Sequence, residues 1–192
     1  MRTRLAILGM LLVLAGATTA HAADATDSER ESTIKAAMIL NFIKSTEWPA
    51  DRFKSPESPI IVTVLGEGEL GGQLERTVSG QQVNGRAIET RRLAHPKTPP
   101  DPDGDDAKQI QASHVLIVCE SERERVPEVL ETLGNASVLT VSDIDAFAEK
   151  GGMIGLTIRR GRVAFDANPD RIQSKQLKVS SQVLRLARTV KS

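Results

Sequence analysis

The feature that most constrains the fold is a series of short, almost uninterrupted apolar runs separated by helix-like segments. The runs IIVTVL, HVLIVC and SVLTVS begin at residues 60, 114 and 137. Strands that are buried on both faces have this pattern, because neither face alternates with solvent. Segments with helical spacing lie between the runs, as in EGELGGQLERTVSG and SERERVPEVLETLG. This order predicts an α/β fold with a mostly parallel sheet and helices packed on its faces.

The C-terminal third has a different pattern. MIGLTIRR and RVAFDAN flank Gly161 and predict an antiparallel hairpin at the edge of the sheet. A short helix, IDAFAEKGG, is expected before the hairpin and should end at Gly151. Asn168 and Pro169 are expected to start another turn of helix. SSQVLRLARTVKS predicts a last helix that begins near Ser180.

A longer helix is predicted in SERESTIKAAMILNFIKST, near the start of the chain. Its apolar residues fall on most faces, so it should be covered on most sides. Pro49 is expected to end this helix, because proline disfavours helical backbone at the preceding residue. Trp48 would then be the first extended residue after the helix.

The first residues predict a secretory signal peptide. Two arginines precede the apolar run LAILGMLLVLAGA, and the triplet AHA at residues 20–22 has the small residues of a cleavage site. An uncleaved anchor is the less favoured alternative, because a membrane span needs about 20 apolar residues. We expect cleavage after Ala22, a polar leader at residues 23–32 and a single domain over residues 33–192, located in the periplasm.

The net charge argues against nucleic acid and anionic lipid as partners, and the cysteine count excludes an internal disulfide. Without residues 1–22 the chain has 23 Lys and Arg (25 minus two) and 25 Asp and Glu, a net charge of about −2. Such a chain has no basic field to attract nucleic acid or anionic lipid. Cys119 is the single cysteine, so no intramolecular disulfide can form. At the end of an apolar run it is interpreted as a buried, inert thiol, with intermolecular pairing or a reactive thiol as alternatives.

One motif imitates a dinucleotide-binding loop. Gly66, Gly68 and Gly71 form G-x-G-x-x-G after a predicted strand and before a predicted helix. The two glutamates between these glycines would repel a pyrophosphate. We therefore favour a glycine-rich turn whose acidic residues stabilise the helix N-terminus, with a nicotinamide-dependent enzyme as the disfavoured alternative.

No convergent catalytic or metal-binding set is evident in the sequence. His95 and His114 lack a second ligand at zinc spacing. Ser121 lacks the turn of a hydrolase nucleophile and is expected to cap a helix. Asp166 and Asp170 are expected to be solvated capping residues. We therefore expect no enzyme activity, no cofactor and no metal.

The aromatic residues concentrate in NFIKSTEWPADRF, residues 41–53, where the only Trp lies between two of the four Phe. Because the preceding helix is apolar, a core role is favoured, and a hot spot for a partner is the alternative. The Arg159-Arg160 pair is interpreted as solvated strand-end charge, with contact to an acidic partner as the alternative. The candidate partner-binding residues are Phe42, Trp48, Phe53, Arg159 and Arg160.

Several ordered segments resemble the YfiR family of exported regulators: AAMILNFIKSTEWP, IIVTVLGEGELGGQL, SHVLIVCESE, VLTVSDIDAFAEKGGMIGL, RVAFDAN and LKVSSQVLRLARTV. The resemblance covers about residues 33–190. It implies an α/β sandwich that often forms homodimers and a non-enzymatic repressor. Such a repressor holds the periplasmic sensor part of an inner-membrane diguanylate cyclase inactive and so lowers cyclic di-GMP. The most specific positions are Trp48, Pro49, Gly151, Gly152, Ile154, Phe165, Asn168 and Ser180.

The resemblance also reveals a departure. Family members often carry cysteines where this chain has Thr63 and Ser113. We expect packing and a weak hydroxyl contact in their place, in a domain less constrained by about 2–4 kcal/mol. Redox control of the kind available to relatives with the cysteine pair is therefore in doubt.

A different class of function is the alternative to a regulator. Open α/β sheets bind ligands at the carboxyl ends of their parallel strands. A periplasmic small-molecule binder would hold its ligand there, near Gly66, Glu120 or Ser142.

Overall fold

The structure is a computed structural model that describes residues 18–93 and 104–190. The helices of this part are α1 Thr18–Lys44, α2 Glu69–Val78, α3 Asp105–Gln111, α4 Val126–Thr132, α5 Pro169–Ser174 and α6 Ser181–Leu184. The strands are β1 Thr46–Glu47, β2 Ile60–Leu65, β3 Gln82–Val83, β4 Arg86–Leu93, β5 Val115–Val118, β6 Leu139–Ser142, β7 Ile154–Arg159, β8 Arg162–Ala167, β9 Lys178–Val179 and β10 Arg188–Thr189. Short 3₁₀ helices span Ala50–Arg52 and Glu120–Arg125.

Eight of the strands form one sheet in the order β10-β8-β7-β6-β5-β2-β4-β3. Strands β4, β2, β5, β6 and β7 run parallel to one another, β3 pairs with β4 in the antiparallel direction, and β7 pairs with β8 as an antiparallel hairpin. The predicted α/β class, the mostly parallel sheet and the C-terminal hairpin are confirmed. The hairpin is the edge of the sheet over only part of its length, however, because β10 pairs with Asp166 and Ala167 on the outer side of β8.

The sheet separates two apolar cores. Val62 and Val64 of β2 pack with α1 and α2 on one face, while Leu65 packs with α3 and α4 on the other. Every residue of β5 and β6 is buried. Burial on both faces explains why these strands have no alternation of polar residues.

Helix α1 differs from its prediction in extent and in coverage. It includes the backbone of residues 23–32, expected as a leader, and it ends at Lys44 instead of at Pro49. It ends early because Thr46 and Glu47 pair with β9, and tertiary pairing overrides the local helical pattern. The helix is also covered on one side only: Ile39 is buried, whereas Ile34 is 42% exposed.

Two further helices were predicted wrongly. Residues 144–150 form consecutive turns instead of a helix, with Ala146 in the left-handed region at φ 57°. The last helix stops at Leu184, because the chain then runs beside β8 as β10. Ser180 does cap this short helix, and its side chain accepts a hydrogen bond from the Gln182 N–H.

Parts of the sequence predictions lie outside the described residues. These are residues 1–17 of the predicted signal peptide, His95, and residues 191–192 of the predicted last helix. Among the residues that the structure does describe, no helix is both long and apolar enough to span a bilayer.

Candidate functional site

The aromatic residues of segment 41–53 are divided between the core and the surface. Phe42 is 2% exposed and packs against Phe165, with 4.8 Å between ring centroids. A partner could not reach Phe42 unless α1 moved away from the sheet. Trp48 and Phe53 are half-buried and lie at the margin of the same core. Of the three aromatic candidates, these two are placed where a partner could touch them.

Trp48 and Phe53 both contact His114, which precedes β5. The Phe53 ring stacks on the imidazole at 4.5 Å between centroids and an interplanar angle of 17°. Trp48 meets it edge-on at 5.9 Å, and the indole Nε1–H donates to the His114 carbonyl at 2.9 Å. His114 Nδ1 accepts the Ile61 backbone N–H at 3.0 Å. The aromatic side chains are therefore fixed to the amino ends of β2 and β5.

Two arginines complete this surface. The Arg86 guanidinium lies 3.8 Å above the Phe53 ring centroid, a cation–π geometry. Arg52 donates to the carbonyls of Gln111 and Ser113 at 2.8 and 2.6 Å. We refer to Trp48, Arg52, Phe53, Arg86 and His114 together as the aromatic patch. Sequence reasoning missed Arg52, Arg86 and His114 because their contacts join distant segments.

The pKa of His114 is lowered to about 4 from its usual 6.5. Burial is the main cause, and the Arg52 and Arg86 charges add to it, while the Arg52 backbone acts in the opposite direction. The imidazole is therefore neutral at physiological pH. This fits its buried position, where it is 3% exposed.

The lowered pKa of His114 predicts a loss of stability in mild acid. Between pH 6.5 and 4 the unfolded chain binds a proton at this residue more readily than the folded chain does. The free energy of unfolding should thus fall with falling pH by about 1 kcal/mol per unit from this group. His114→Asn, which keeps an acceptor for Ile61 N–H, should reduce the slope between pH 5 and 7. Urea titrations of both proteins measure it, and equal slopes would contradict the assignment.

The expected hydroxyl contact between Thr63 and Ser113 is present. Both side chains are fully buried, and their hydroxyl oxygens lie 2.5 Å apart. Ser113 Oγ also donates to the Gln109 carbonyl at 2.8 Å, so the Thr63 hydroxyl is the donor to Ser113. This contact joins β2 to the segment between α3 and β5.

The arginine pair lies at the opposite end of the sheet from the aromatic patch. Arg159 ends β7, and Arg160 occupies the hairpin turn with φ 51°. The structure does not bring these arginines to Trp48 and Phe53, because the patch lies at the amino ends of the parallel strands. The candidates outside the core thus form two separate surfaces, with Trp48 and Phe53 on one and the two arginines on the other.

Asp166 is a buried ion-pair partner, and the expectation that it would be solvated is wrong. It is 7% exposed and pairs with Arg159 and with Arg188, whose Nη2 lies 2.8 Å from Asp166 Oδ2. Arg188 also pairs with Glu149 at 2.5 Å. Burial alone would raise the pKa of Asp166, but the hydrogen bonds from the two arginines lower it overall. This cluster fastens β10 to the hairpin.

The glycine motif is filled by the protein's own side chains. A Cβ on Gly66 would lie 2.4 Å from Ser121 Oγ, and Gly66 itself has φ +80°. Ser121 Oγ accepts the Glu67 N–H at 2.9 Å, so Ser121 stabilises this turn instead of capping the helix that follows it. The residues of the motif therefore make a close-packed strand-to-helix turn.

Two adjacent glycines in α2 test this interpretation. A Cβ on Gly71 would lie 2.6 Å from Val64 Cγ1, whereas a Cβ on Gly72 would meet only the Arg76 side chain at 3.8 Å. Gly71→Ala should destabilise the fold by about 2 kcal/mol through overpacking. Gly72→Ala should stabilise it by about 0.5–1 kcal/mol, because alanine favours helix. Urea denaturation measures both; equal effects would mean that packing does not explain the motif.

A cleft of about 210 Å³ lies at the carboxyl ends of β2, β5 and β6. The α1 residues Ser28, Glu31, Ser32 and Lys35 line one wall. The opposite wall contains Gly68, Glu69, Leu70, Cys119, Glu120 and Asp143. Glu120 thus lies where a ligand was expected, but Gly66 and Ser142 are not in the lining. Ser142 is instead buried, and its hydroxyl donates to the Val118 carbonyl at 2.7 Å.

Charges inside the cleft compensate one another only in part. Lys35 Nζ lies 2.6 Å from Glu31 and 3.0 Å from Asp143. Burial lowers the pKa of Lys35, but the hydrogen bonds to these carboxylates raise it overall, so the lysine is charged. Cys119 is buried, as expected, and burial raises its pKa to about 11, which makes the thiol unreactive.

Most of the remaining positions that carry the family resemblance lie between β6 and α5. Gly151 has φ +97°, and Gly152 contacts the Phe147 ring so closely that a Cβ would lie 2.2 Å from it. Ile154 is fully buried. The Asn168 side chain accepts the Arg171 N–H at 3.1 Å and caps α5. In the described residues, no group of three or more His, Cys, Asp or Glu is arranged to hold a metal ion.

Comparison with known proteins supports both the fold and the family. A conserved domain protein from Vibrio cholerae has a TM-score of 0.57 and 9% identity over 84% of this chain. The ABC domain from Streptococcus pneumoniae, solved in complex with L-Trp, has a TM-score of 0.52 and 11% identity over 83%. This chain spans 60% of the length of each, and the likeness concerns the fold alone. The model of the YfiR/HmsC-like family matches residues 32–188. The chain therefore belongs to this family, whose members are periplasmic, non-catalytic regulators of cyclic di-GMP signalling.

Proposed function

We propose that this protein restrains an inner-membrane diguanylate cyclase by binding the cyclase's periplasmic sensor part, and thereby lowers cyclic di-GMP. The observation that carries the proposal is the family match over residues 32–188, which includes both candidate surfaces. The expected export by a signal peptide at residues 1–22, leaving a single domain, belongs to the same proposal. The regulator uses no cofactor and acts by contact.

The aromatic patch is the surface that we assign to the partner. Trp48 and Phe53 are half-buried, both contact the His114 ring, and they lie beside two arginines. Tryptophan and arginine on a preorganised surface are the residues that most often dominate binding energy, at about 2 kcal/mol or more each. A shift of the cyclase from 1:99 to 99:1 in favour of its inactive state needs about 5.5 kcal/mol of differential binding. A few such residues suffice for a useful brake.

Deletion of the gene should raise cellular cyclic di-GMP and surface adhesion, because the cyclase loses its brake. Restoring the parent gene should reverse both. Trp48→Ala should restore repression only weakly, with binding to the isolated sensor domain reduced about thirtyfold. Ile34→Ala is the matched control, since Ile34 is 42% exposed on α1 and is not in the patch. Unchanged cyclic di-GMP in the deletion strain would refute the proposal.

A second candidate function rests on the strand-end cleft. Its lining has four carboxylates, on Glu31, Glu69, Glu120 and Asp143, against one lysine. Glu120 also pairs with Arg123 at 2.5 Å, and the negative charge that remains suits a ligand with an amino group. The streptococcal protein of similar fold was solved with L-Trp, so amino acids are the first ligands to test. A ligand at 100 times its Kd should add about 2.7 kcal/mol of stability. Melting temperatures measured with and without amino acids and nucleotides test this candidate function. An unchanged melting temperature at millimolar ligand would reject it.

A further inference from the structure

The outer edge of β8 is only partly used within this chain. Strand β10 pairs with β8 at Asp166 and Ala167 alone. No strand of the described residues pairs with the outer side of Arg162–Phe165, although β8 is paired with β7 along its whole length on the inner side. The hairpin therefore extends past β10 with an open edge.

The direction of the backbone groups on this edge follows from two hydrogen bonds. The Asn168 N–H donates to Met153 on the β7 side at 2.9 Å, whereas the Val190 N–H donates to the Ala167 carbonyl from the β10 side at 2.9 Å. Because backbone groups alternate in an antiparallel strand, odd-numbered residues of β8 face outward. The N–H and carbonyl of Val163 and the N–H of Phe165 thus point away from β7.

Apolar side chains accompany the open backbone groups. Val163 is half-buried and lies opposite Ile158, which is 44% exposed. Both continue the face of the hairpin on which Leu156 and Phe165 are buried. An added strand would extend this apolar row and remove it from water.

The charge near the open edge of β8 indicates which kind of segment would bind there. From residue 154 to residue 165 the hairpin carries three arginines and no acidic residue, although the exported chain as a whole is slightly acidic. Arg159 is neutralised by Asp166, but neither Arg160 nor Arg162 has a carboxylate partner in the described part of the chain. A second copy would bring like charges together across the new strand pair, which is unfavourable. An acidic segment would be attracted.

We propose that the open edge of β8 binds an extended, acidic segment of the protein's signalling partner by strand addition. Strand addition of this kind obtains affinity from backbone hydrogen bonds and selectivity from the flanking side chains. The inference rests on the proposed regulatory function and gives it a second contact, at the end of the sheet away from the aromatic patch. Arginine on an edge strand also discourages aggregation, and the experiment separates that role from binding.

The probe is a short peptide in which glutamate alternates with valine, compared with its lysine counterpart, at about 1 mM because short strands bind weakly. The exported chain should bind the glutamate peptide, and the amide signals of Val163 and Phe165 should shift and become protected from exchange. Arg160→Glu with Arg162→Glu should weaken binding about tenfold or more and favour the lysine peptide. The matched charge control is Arg91→Glu with Lys108→Glu, at two exposed residues on β4 and α3.

A backbone variant tests strand addition directly. Val163→Pro removes an N–H that faces outward, so the β7–β8 hydrogen bonds remain while peptide binding should be lost. The inference would be overturned if this variant bound the glutamate peptide fully, if the parent did not bind it, or if the parent bound both peptides equally. A dimer of the parent that Val163→Pro abolishes would also overturn it, because a second copy would then occupy the edge. If gene deletion raises cyclic di-GMP and both the proline and the double-glutamate variants repress fully, the edge inference fails while the proposed function stands. If deletion has no effect, the proposed function fails whatever the peptides do.

Discussion

Replacing Thr63 and Ser113 together by cysteine is expected to create a disulfide that raises the free energy of unfolding by about 4 kcal/mol. The hydroxyl oxygens of the two residues are 2.5 Å apart and fully buried. Side-chain oxygens this close place the two Cβ atoms near the spacing of a disulfide, so we expect sulfur atoms on the same carbons to reach bonding distance. The bridge would close a loop of about 50 residues, for which chain entropy gives a stabilisation of about 4 kcal/mol.

The reference for this measurement is the same double variant with its thiols reduced. Comparison of the oxidised and reduced forms in urea isolates the cross-link from the substitutions themselves, including the lost Ser113 hydrogen bond to Gln109. Cys119→Ala in the same background excludes a bridge to the native thiol, which is buried. A difference below about 1 kcal/mol, or free thiols that persist under oxidising conditions, would mean that the two positions cannot be joined without strain.

The central strands could be predicted because burial on both faces leaves an unmistakable sequence pattern. β2, β5 and β6 coincide with the apolar runs, and Gly161 marks the turn between β7 and β8. The fold differs from prediction where distant segments pair. The segment after Leu184 has helical spacing, yet Arg188 and Thr189 form a strand because β8 offers an edge beside them. No window of local sequence contains that information.

The candidate surfaces could be predicted only in part for the same reason. Trp48 and Phe53 were recognisable as a concentration of aromatic residues, but their main neighbour, His114, is 61 or more residues away. The ion pairs of Asp166 also depend on Arg188, which reaches it only because β10 lies beside β8. Its local setting before Asn168 and Pro169 suggested a solvated cap. Position in the sheet, and not residue type, decides these roles.

The structure also relates the glycine positions to two different physical needs. Gly151 occupies φ +97°, where side chains other than glycine are strained, yet a Cβ there would meet only Leu130 Cδ1 at 3.6 Å. Gly152 has no positive φ but lies against the ring of Phe147, which is 1% exposed. The first glycine is required by the backbone and the second by space. A side chain at position 151 would strain the backbone, whereas one at position 152 would clash with Phe147. Only the clash can be relieved by a smaller neighbouring side chain.

Gly152→Ala should therefore destabilise the fold by about 3 kcal/mol or more, since its Cβ would lie 2.2 to 2.7 Å from three Phe147 ring atoms that cannot move within a packed core. Phe147→Leu alone should cost about 1–2 kcal/mol for the cavity that it leaves. Combined with Gly152→Ala it should cost less than the sum of the two by at least about 1 kcal/mol, because the smaller side chain makes room for the new methyl group. Urea denaturation of the parent, both single variants and the double variant measures this coupling. Additive costs would show that the ring is not what excludes a side chain at position 152, and that the turn needs glycine for its backbone alone.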